Sequence, residues 1–325
     1  MSPKVTMHDV ARESGFGLGT VSRVLSGDKN VKPSTRAAVL DVVRKLNYVP
    51  NVNAARLRKK HIGLIAVLVP IINHPFFSEF VECLESIATE KGYSIILVSS
   101  KSNTKEEGEI LRRIRMKEVD GAIFVTHYDH DDEETAGLPL VSIDRHLNNQ
   151  VPFVSSDNYE ATKRAIEYLV STGAKRIGYV GTKPFVRSEV SRREQGYLDA
   201  MQEHGLTPMI VNEVVEHGEE RRVVDAFLER YPNVDAIFAS GNTVSNLIYA
   251  KLKDQGVKFP EEMQLISYDG VFGNWGGFEQ ISTIQQPIRT LAEASFNILI
   301  DIIDGKEVPM RNIYPTTFIK GLTTK

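Results

Sequence analysis

At 325 residues the chain exceeds what one ordinary hydrophobic core supports and calls for two or three domains. Hydrophobic residues at 42% and charged residues at 25% fit a folded globular protein and exclude a disordered or fibrous one. A single cysteine, Cys83, excludes an intramolecular disulfide framework and a cysteine-rich zinc site, and no uncharged apolar run approaches the ~20 residues of a membrane span.

Charge is unevenly spread. Residues 1–60 carry 12 Lys and Arg against 4 Asp and Glu, a net +8, and the remainder nets −11. A small basic segment on a large acidic one is the footprint of polyanion binding, because phosphate contacts draw on clustered cations; a solvated basic tail is the plain alternative. The opening MSPKVTMHDVARESG has no apolar secretory core, and with the lone cysteine it leads to the expectation of a cytoplasmic protein.

In chain order, the first 60 residues show no strand pattern. They predict three short helices at about 6–13, 17–25 and 33–46, with turns at Ser14-Gly15 and Ser26-Gly27-Asp28. Thr6 is the expected N-cap of the first, and Pro33-Ser34-Thr35 starts the third. Two short helices joined by a tight Gly-containing turn make a helix-turn-helix. Gly15-Phe16-Gly17-Leu18-Gly19 mimics a dinucleotide fingerprint, but it follows a helical period where that fingerprint needs a strand, so no cofactor is expected. In residues 50–60, PNVNAARLRKK, Asn51 can cap a short helix with Ala54 and Leu57 on one face. A helix of about eight residues is marginal without a partner, so a basic solvated linker is the other reading.

From Ile62 onward short apolar runs alternate with amphipathic helical stretches. The expected strands are 62–69, 93–99, 121–125, 139–144, 176–181, 235–240 and 264–269, near-continuous in Val, Ile and Leu as parallel strands covered on both faces tend to be. Phe80, Leu84, Ile87 and Ala88, then Ala161, Ala165 and Leu169, then Val244, Leu247, Ile248 and Leu252 follow the helical period. Helical stretches stop at Gly92, Gly173, Gly205, Gly256 and Gly305. This is an α/β pattern with doubly wound parallel sheets, and a restart near Asp157-Asn158 favours two lobes. The acidic run His127 to Glu134 has no i, i+4 His pair and reads as a solvated loop, not a metal site. No G-x-S-x-G, H-E-x-x-H or Walker string is present, so no enzyme is expected.

The string from Val5 to Lys60 resembles the DNA-binding head of the LacI/GalR family of bacterial transcription regulators: Asp9-Val10-Ala11, Thr20-Val21-Ser22-Arg23-Val24-Leu25, Leu46-Asn47-Tyr48 and Pro50-Asn51 fall at family spacing. The resemblance continues through the core, where the wording looks nearest to sucrose and related oligosaccharide operon repressors. It implies a small all-α head at 1–49 and a hinge at 50–60. Behind them it implies a two-lobed core like periplasmic binding proteins, with lobes at 61–157 plus about 287–313 and 158–286 plus about 314–325. The partners implied are a palindromic operator bound by a homodimer at the nucleoid, and a small-molecule effector, a sugar in the family's manner, held between the lobes. The core's last strand lies close to Lys325, leaving no room for the extra helix of the family's tetramers, so a dimer is expected.

The resemblance also assigns residues. Leu18, Gly19 and Arg23 would meet base edges in the major groove, while Thr6, Thr20, Ser22 and Asn30 would meet or position the phosphate backbone. Asn51, Ala54 and Leu57 would form a hinge helix in the minor groove, with Leu57 as the apolar wedge. The effector would sit beyond the carboxyl ends of the strands, near Asn73, Phe76, His127, Arg145 and Asn242; Arg193 and Asp269 would grip it and Trp275 would stack on it. This chain departs from the pattern at Gly17, where relatives often carry Ser, at Arg56, one place later than usual, at Thr243 after Asn242, and at Glu220 in place of an aromatic. Two other readings stand beside the sugar-released repressor: a regulator whose effector strengthens DNA binding, and a plain solute-binding protein.

Overall fold

The computed structural model describes residues 5–48, 61–101, 104–126, 130–183, 188–215, 218–270 and 281–325. The chain divides into two units, Met1–Ile62 and Gly63–Lys325.

The first unit holds α1 (Met7–Ser14), α2 (Leu18–Leu25) and α3 (Pro33–Lys45). A capping box starts α1: Thr6 Oγ1 accepts the Asp9 N–H at 3.4 Å, and the Asp9 carboxylate accepts the Thr6 N–H at 2.9 Å. The helix stops at Gly15, whose φ of 70° is the left-handed conformation that turns the chain into α2. Gly17 caps α2 without a side chain, a deficit of only a few tenths of a kcal/mol relative to Ser. Packing decides the matter instead. Val10, Val21, Val24 and Val39, one or two from each helix, are buried with Tyr48, and burying each valine contributes roughly 1.5–3 kcal/mol.

The second unit opens with β1 (Leu64–Val69), α4 (Pro75–Glu90), β2 (Ser94–Ser99), α5 (Thr104–Arg115), β3 (Gly121–Phe124), α6 (Asp132–Thr135), β4 (Leu140–Ile143) and β5 (Phe153–Ser156). It continues through α7 (Asn158–Ser171), β6 (Ile177–Thr182), a 3-10 turn (Glu189–Ser191), α8 (Arg192–Glu203), β7 (Met209–Glu213), α9 (Glu220–Arg230), β8 (Ala236–Ala239), α10 (Asn242–Asp254), β9 (Gln264–Asp269) and β10 (Ser282–Gln285). It closes with α11 (Ile288–Ile303), β11 (Arg311–Tyr314) and β12 (Thr317–Ile319).

Two six-stranded sheets result, in the orders β11-β5-β4-β3-β1-β2 and β12-β10-β9-β8-β6-β7. The first is parallel throughout; on it Val67 pairs with Leu97 on one side and Ile123 on the other. Helices cover both faces: Ile65, Val67 and Val69 pack with residues of α4 and α11, while Ala66 and Leu68 pack with residues of α5. Strands buried on both faces have no polar side to show, which is why they read as unbroken apolar runs.

The expectation of parallel sheets needs one correction. β12 runs antiparallel to β10, with Ile284 opposite Phe318. The chain crosses between lobes three times, from β5 to α7, from β10 to α11 and from β11 to β12. The first two crossings pass through a helix. The third leaves β11 at its carboxyl end and enters the second sheet from the same side, so without a crossover helix it must run backwards. The five glycine stops all have positive φ; at Gly173 (φ 94°) the Ala174 N–H reaches back to the Leu169 carbonyl at 3.1 Å, closing the helix end. No helix among the described residues is long and apolar enough to cross a membrane.

Candidate functional site

On the head, α2 buries Val21 and Val24 and turns Gly19, Arg23 and Ser26 outward at i, i+4, i+7 spacing. Leu18, Thr20 and Ser22 are half-buried at the edges of this strip. The Arg23 side chain makes no hydrogen bond or ion pair with the described residues, its carbonyl alone accepting from the Ser26 hydroxyl and the Asp28 N–H, whereas Arg12, Arg44 and Lys45 are engaged by Asp9, Asp41 and Glu13. Lys29 and Lys32 are exposed on the loop beyond α2. Asn30 is also exposed there, its N–H donating to Asp28 Oδ1 at 3.0 Å. Thr6 is held by Asp9 at the head of α1, its hydroxyl donating to Oδ2 at 2.7 Å. An uncommitted arginine on an exposed helix strip, flanked by lysines, suits a polyanion whose edges carry hydrogen-bond acceptors. Asn51, Ala54 and Leu57 lie outside the described residues.

In the second unit a cleft of about 700 Å³ opens between the lobes. Its lining follows the carboxyl ends of the strands: Pro70 and Ile71 after β1, Val125 and Thr126 after β3, Asp144 after β4, Ser240 after β8, Asp269 at the end of β9 and Gln286 after β10. Arg145, Arg193, Asn242, Asp269 and Phe76 all line it. Phe76 is 3% exposed and belongs to the core beneath as much as to the wall, with Phe77 against it edge-on at 5.6 Å. Asn73 does not line the cleft: it is exposed on the loop before α4, and Ile71, His74, Phe76 and Phe77 take the inward positions. His127 and Trp275 lie outside the described residues.

Arg193 is the centre of the cleft floor. It stands in the first turn of α8, is 4% exposed, and its guanidinium lies 3.6 Å from the centre of the Tyr268 ring. Nε donates to Asn158 Oδ1 at 2.6 Å and Nη1 to the Ser240 carbonyl at 2.5 Å, with Asp269 Oδ1 3.6 Å away. The helix can carry it there because Gly196, one turn on, passes against the Tyr159 carbonyl, where a Cβ would sit 2.4 Å from the oxygen. Asp269, at φ 88°, accepts from Gln286 Nε2 at 2.8 Å and from the Asn242 N–H at 3.4 Å.

Facing it from the other lobe, Asp144 also has positive φ (58°) and accepts the Ser155 hydroxyl at 2.5 Å. Burial pushes its carboxyl above the ordinary carboxylate range, against the opposing pull of the Ser155 hydroxyl and Arg193. The Asp144 carbonyl accepts the Glu189 N–H at 2.8 Å, and His146 meets Glu189 at 3.0 Å, so two contacts join the lobes here. Two buried amides sit at the crossings. Asn158 holds Arg193 and donates to Ser155 and to the Ser156 carbonyl of β5, while Gln286 holds Asp269 and accepts the Ser156 hydroxyl at 2.6 Å. Neither amide is among the site residues expected from sequence, because residues 281–287 (ISTIQQP) carry no strand signal to place Gln286 at a strand end. The Arg145 and Arg193 guanidinia and the Asp144 and Asp269 carboxyls, among further polar side chains and an apolar wall that includes Phe76 and Phe77, suit a small polar molecule with paired hydroxyl groups.

Residues 62–321 match the family model described as periplasmic binding proteins and sugar binding domain of the LacI family, and residues 6–51 match that of bacterial regulatory proteins, lacI family. The chain belongs to the LacI family of bacterial regulators. It is 31% identical to the ribose operon repressor of Halalkalibacterium halodurans over 98% of this chain and 97% of that protein. It is 28% identical to the sucrose operon repressor of Pediococcus pentosaceus over 99% of this chain and all of that one (100%). In fold it is similar to the lac repressor dimer bound to operator and the anti-inducer ONPF, with a TM-score of 0.84 at 21% identity over 99% of each chain.

Proposed function

We propose that this chain is a sequence-specific DNA-binding repressor of a carbohydrate-utilisation operon, released from its operator when a small sugar occupies the cleft between the core lobes. The observation that carries the reading is the Arg193–Asp269 pair, a guanidinium and a carboxylate buried at 4% and 7% exposure yet lining an open cleft, in a chain whose head displays Arg23. Buried charges are expensive unless partners use them, and adjacent sugar hydroxyls are partners both groups can bond at once.

In this reading Arg23 hydrogen-bonds a base edge, Leu18 touches a thymine methyl, and Thr20, Ser22 and Asn30 hold phosphates. Asn51, Ala54 and Leu57 serve the hinge. Two copies bind a two-fold-symmetric operator in the cytoplasm, a reading supported by the fold shared with the lac repressor dimer bound to operator, and the protein works by binding alone, without catalysis. Sugar favours a lobe arrangement that separates the hinge segments, so operator affinity falls; by linkage, operator lowers sugar affinity by the same factor. Ribose and sucrose, the sugars in the names of two relatives, are the first to try.

The experiment selects a preferred duplex from a random pool with the full chain, then measures its affinity with and without each sugar. Weakened binding supports the repressor reading. Tightened binding makes the protein corepressed, and selection of no preferred sequence ends the account.

A further inference from the structure

One buried ionisable cluster in the first lobe lies outside the exchange of DNA and sugar just described. Glu107 on α5 is fully buried, and His130, just before α6, is 8% exposed. Its burial corrects the expectation that the acidic run 127–134 is a solvated loop throughout. His130 Nε2 lies 2.5 Å from Glu107 Oε2, and Nδ1 lies 3.2 Å from Glu134 Oε2. Each ring nitrogen thus faces a carboxylate oxygen. Ionised carboxylates only accept, so with both glutamates ionised both nitrogens carry hydrogen and the ring is an imidazolium. Neither neutral tautomer fits, because each sets a nitrogen lone pair against a carboxylate.

The cluster touches the cleft through two hydrogen bonds. The Thr126 hydroxyl donates to Glu107 Oε1 at 2.5 Å, and the Thr126 carbonyl accepts Arg145 Nη1 at 3.5 Å. Thr126 and Arg145 both line the cleft, and Arg145 is 1% exposed. We propose that Glu107 and protonated His130 are positioning residues, which fix Thr126 and through it the Arg145 guanidinium in the first lobe's wall of the cleft, so that the proton on His130 sets how well that wall receives a ligand. The last step rests on the reading of the cleft as the effector site.

The surroundings fix the sign of the pH response. Burial opposes the charge on His130, but the hydrogen bonds to Glu107 and Glu134 outweigh it and hold its pKa above the ordinary histidine value. The Phe124 ring faces it edge-on at 6.1 Å from β3, and Arg115 of α5 donates to the Glu134 carbonyl. Glu134 has a side chain 55% exposed and is screened by water, so the buried Glu107 is the stronger partner. A raised histidine contributes stability that is fully present below its unfolded value and lost as pH rises through the folded one. The wall therefore loosens on the alkaline side.

The test uses the full chain labelled with nitrogen-15 histidine. One imidazole should keep both ring protons to higher pH than the exposed histidines, and His130→Gln should remove that signal. Glu107→Gln should lower that histidine's titration and speed amide exchange in peptides covering 121–126 and 140–147, while 236–240 in the other lobe stays unchanged. If His130 carries one ring proton at neutral pH, titrates with the exposed histidines, or loses its partner without any change in those peptides, the proposal is overturned; the first two outcomes need no variant to fold. Thermal-shift titrations with ribose and with sucrose at about pH 6 and about pH 9 separate the two readings. A sugar response that weakens at the higher pH supports both, and one that is equal at both overturns the ligand step. Altered exchange with no response to either sugar supports the positioning of the wall and counts against the effector site instead.

Discussion

Replacing Asp269 by Asn removes one charge from the cleft floor and little else. Asn tolerates the left-handed backbone at φ 88° as Asp does, and it keeps an acceptor for Gln286 Nε2 at 2.8 Å. What goes is the carboxylate 3.6 Å from Arg193. Stripping one partner from a buried ion pair costs up to about 3–5 kcal/mol when the other is left alone. Arg193 is not left alone: Asn158 Oδ1 at 2.6 Å, the Ser240 carbonyl at 2.5 Å and the Tyr268 ring remain. The expected loss in folding stability is therefore small, about 1–2 kcal/mol, read from urea unfolding by circular dichroism. Sugar affinity should suffer more visibly, since a charge-assisted bond of about 2 kcal/mol is roughly 30-fold in affinity. Operator affinity without sugar should stay, and release by sugar should need that much more of it. If the variant releases operator at the wild-type sugar concentration, Asp269 is not an effector ligand. A stability loss above about 4 kcal/mol would show that the other three contacts do not sustain Arg193.

Arg23→Ala should weaken operator binding by about 1–3 kcal/mol and relax discrimination at one base pair; equal losses on the preferred duplex and on one altered at a single base would make Arg23 a phosphate contact. Gly196→Ala should lower the melting temperature by the equivalent of about 1–3 kcal/mol, because its Cβ would meet the Tyr159 carbonyl at 2.4 Å and α8 would have to shift, taking Arg193 with it; an unchanged melt would show that α7 and α8 can separate freely. Asp144→Asn bears on pH. A carboxyl raised by burial favours its protonated form in the folded chain, so its contribution is greatest below the ordinary value of 3.8 and declines as pH rises through the folded value. The amide, which cannot ionise, should melt higher than wild type at about pH 8, with the gap narrowing toward about pH 5; a gap independent of pH would mean that Asp144 does not titrate in that range.

Legibility from sequence tracked burial on two faces. Strands such as Ile65–Val69 or Leu265–Ile266 announce themselves because helices leave them no polar side. Phe153–Ser156, Met209–Glu213, Ser282–Gln285, Arg311–Tyr314 and Thr317–Ile319 did not stand out. Three of these carry mixed, partly exposed side chains at or beside a sheet edge. In Phe153–Ser156 and Ser282–Gln285, buried serines and a threonine replace apolar residues, and Ser156 and Ser282 find partners more than a hundred and about forty residues away, Gln286 and Thr324. No local period encodes such partners. The same holds at the cleft: Arg145, Arg193 and Asp269 are charged residues in or after recognisable elements, but Asn158 and Gln286 act across chain crossings that only the folded arrangement creates. Asn73 shows the reverse error, because position after a strand places a residue near the cleft without turning its side chain inward.

The three crossings between lobes also govern the order in which the molecule can be built. The first sheet is short of one edge strand until Arg311–Tyr314 has been made, and the part of its apolar face over β3, β4 and β5 is uncovered until Ile288, Leu291, Ala292, Phe296 and Leu299 arrive on α11. All of the second sheet except its last strand is synthesised in the meantime. A nascent chain at that stage leaves Ile123, Val141, Ile143 and Val154 without their helix cover alongside an open strand edge, the kind of surface that invites misassembly or a chaperone. The finished protein hides that surface completely, so its period of greatest vulnerability falls on the ribosome.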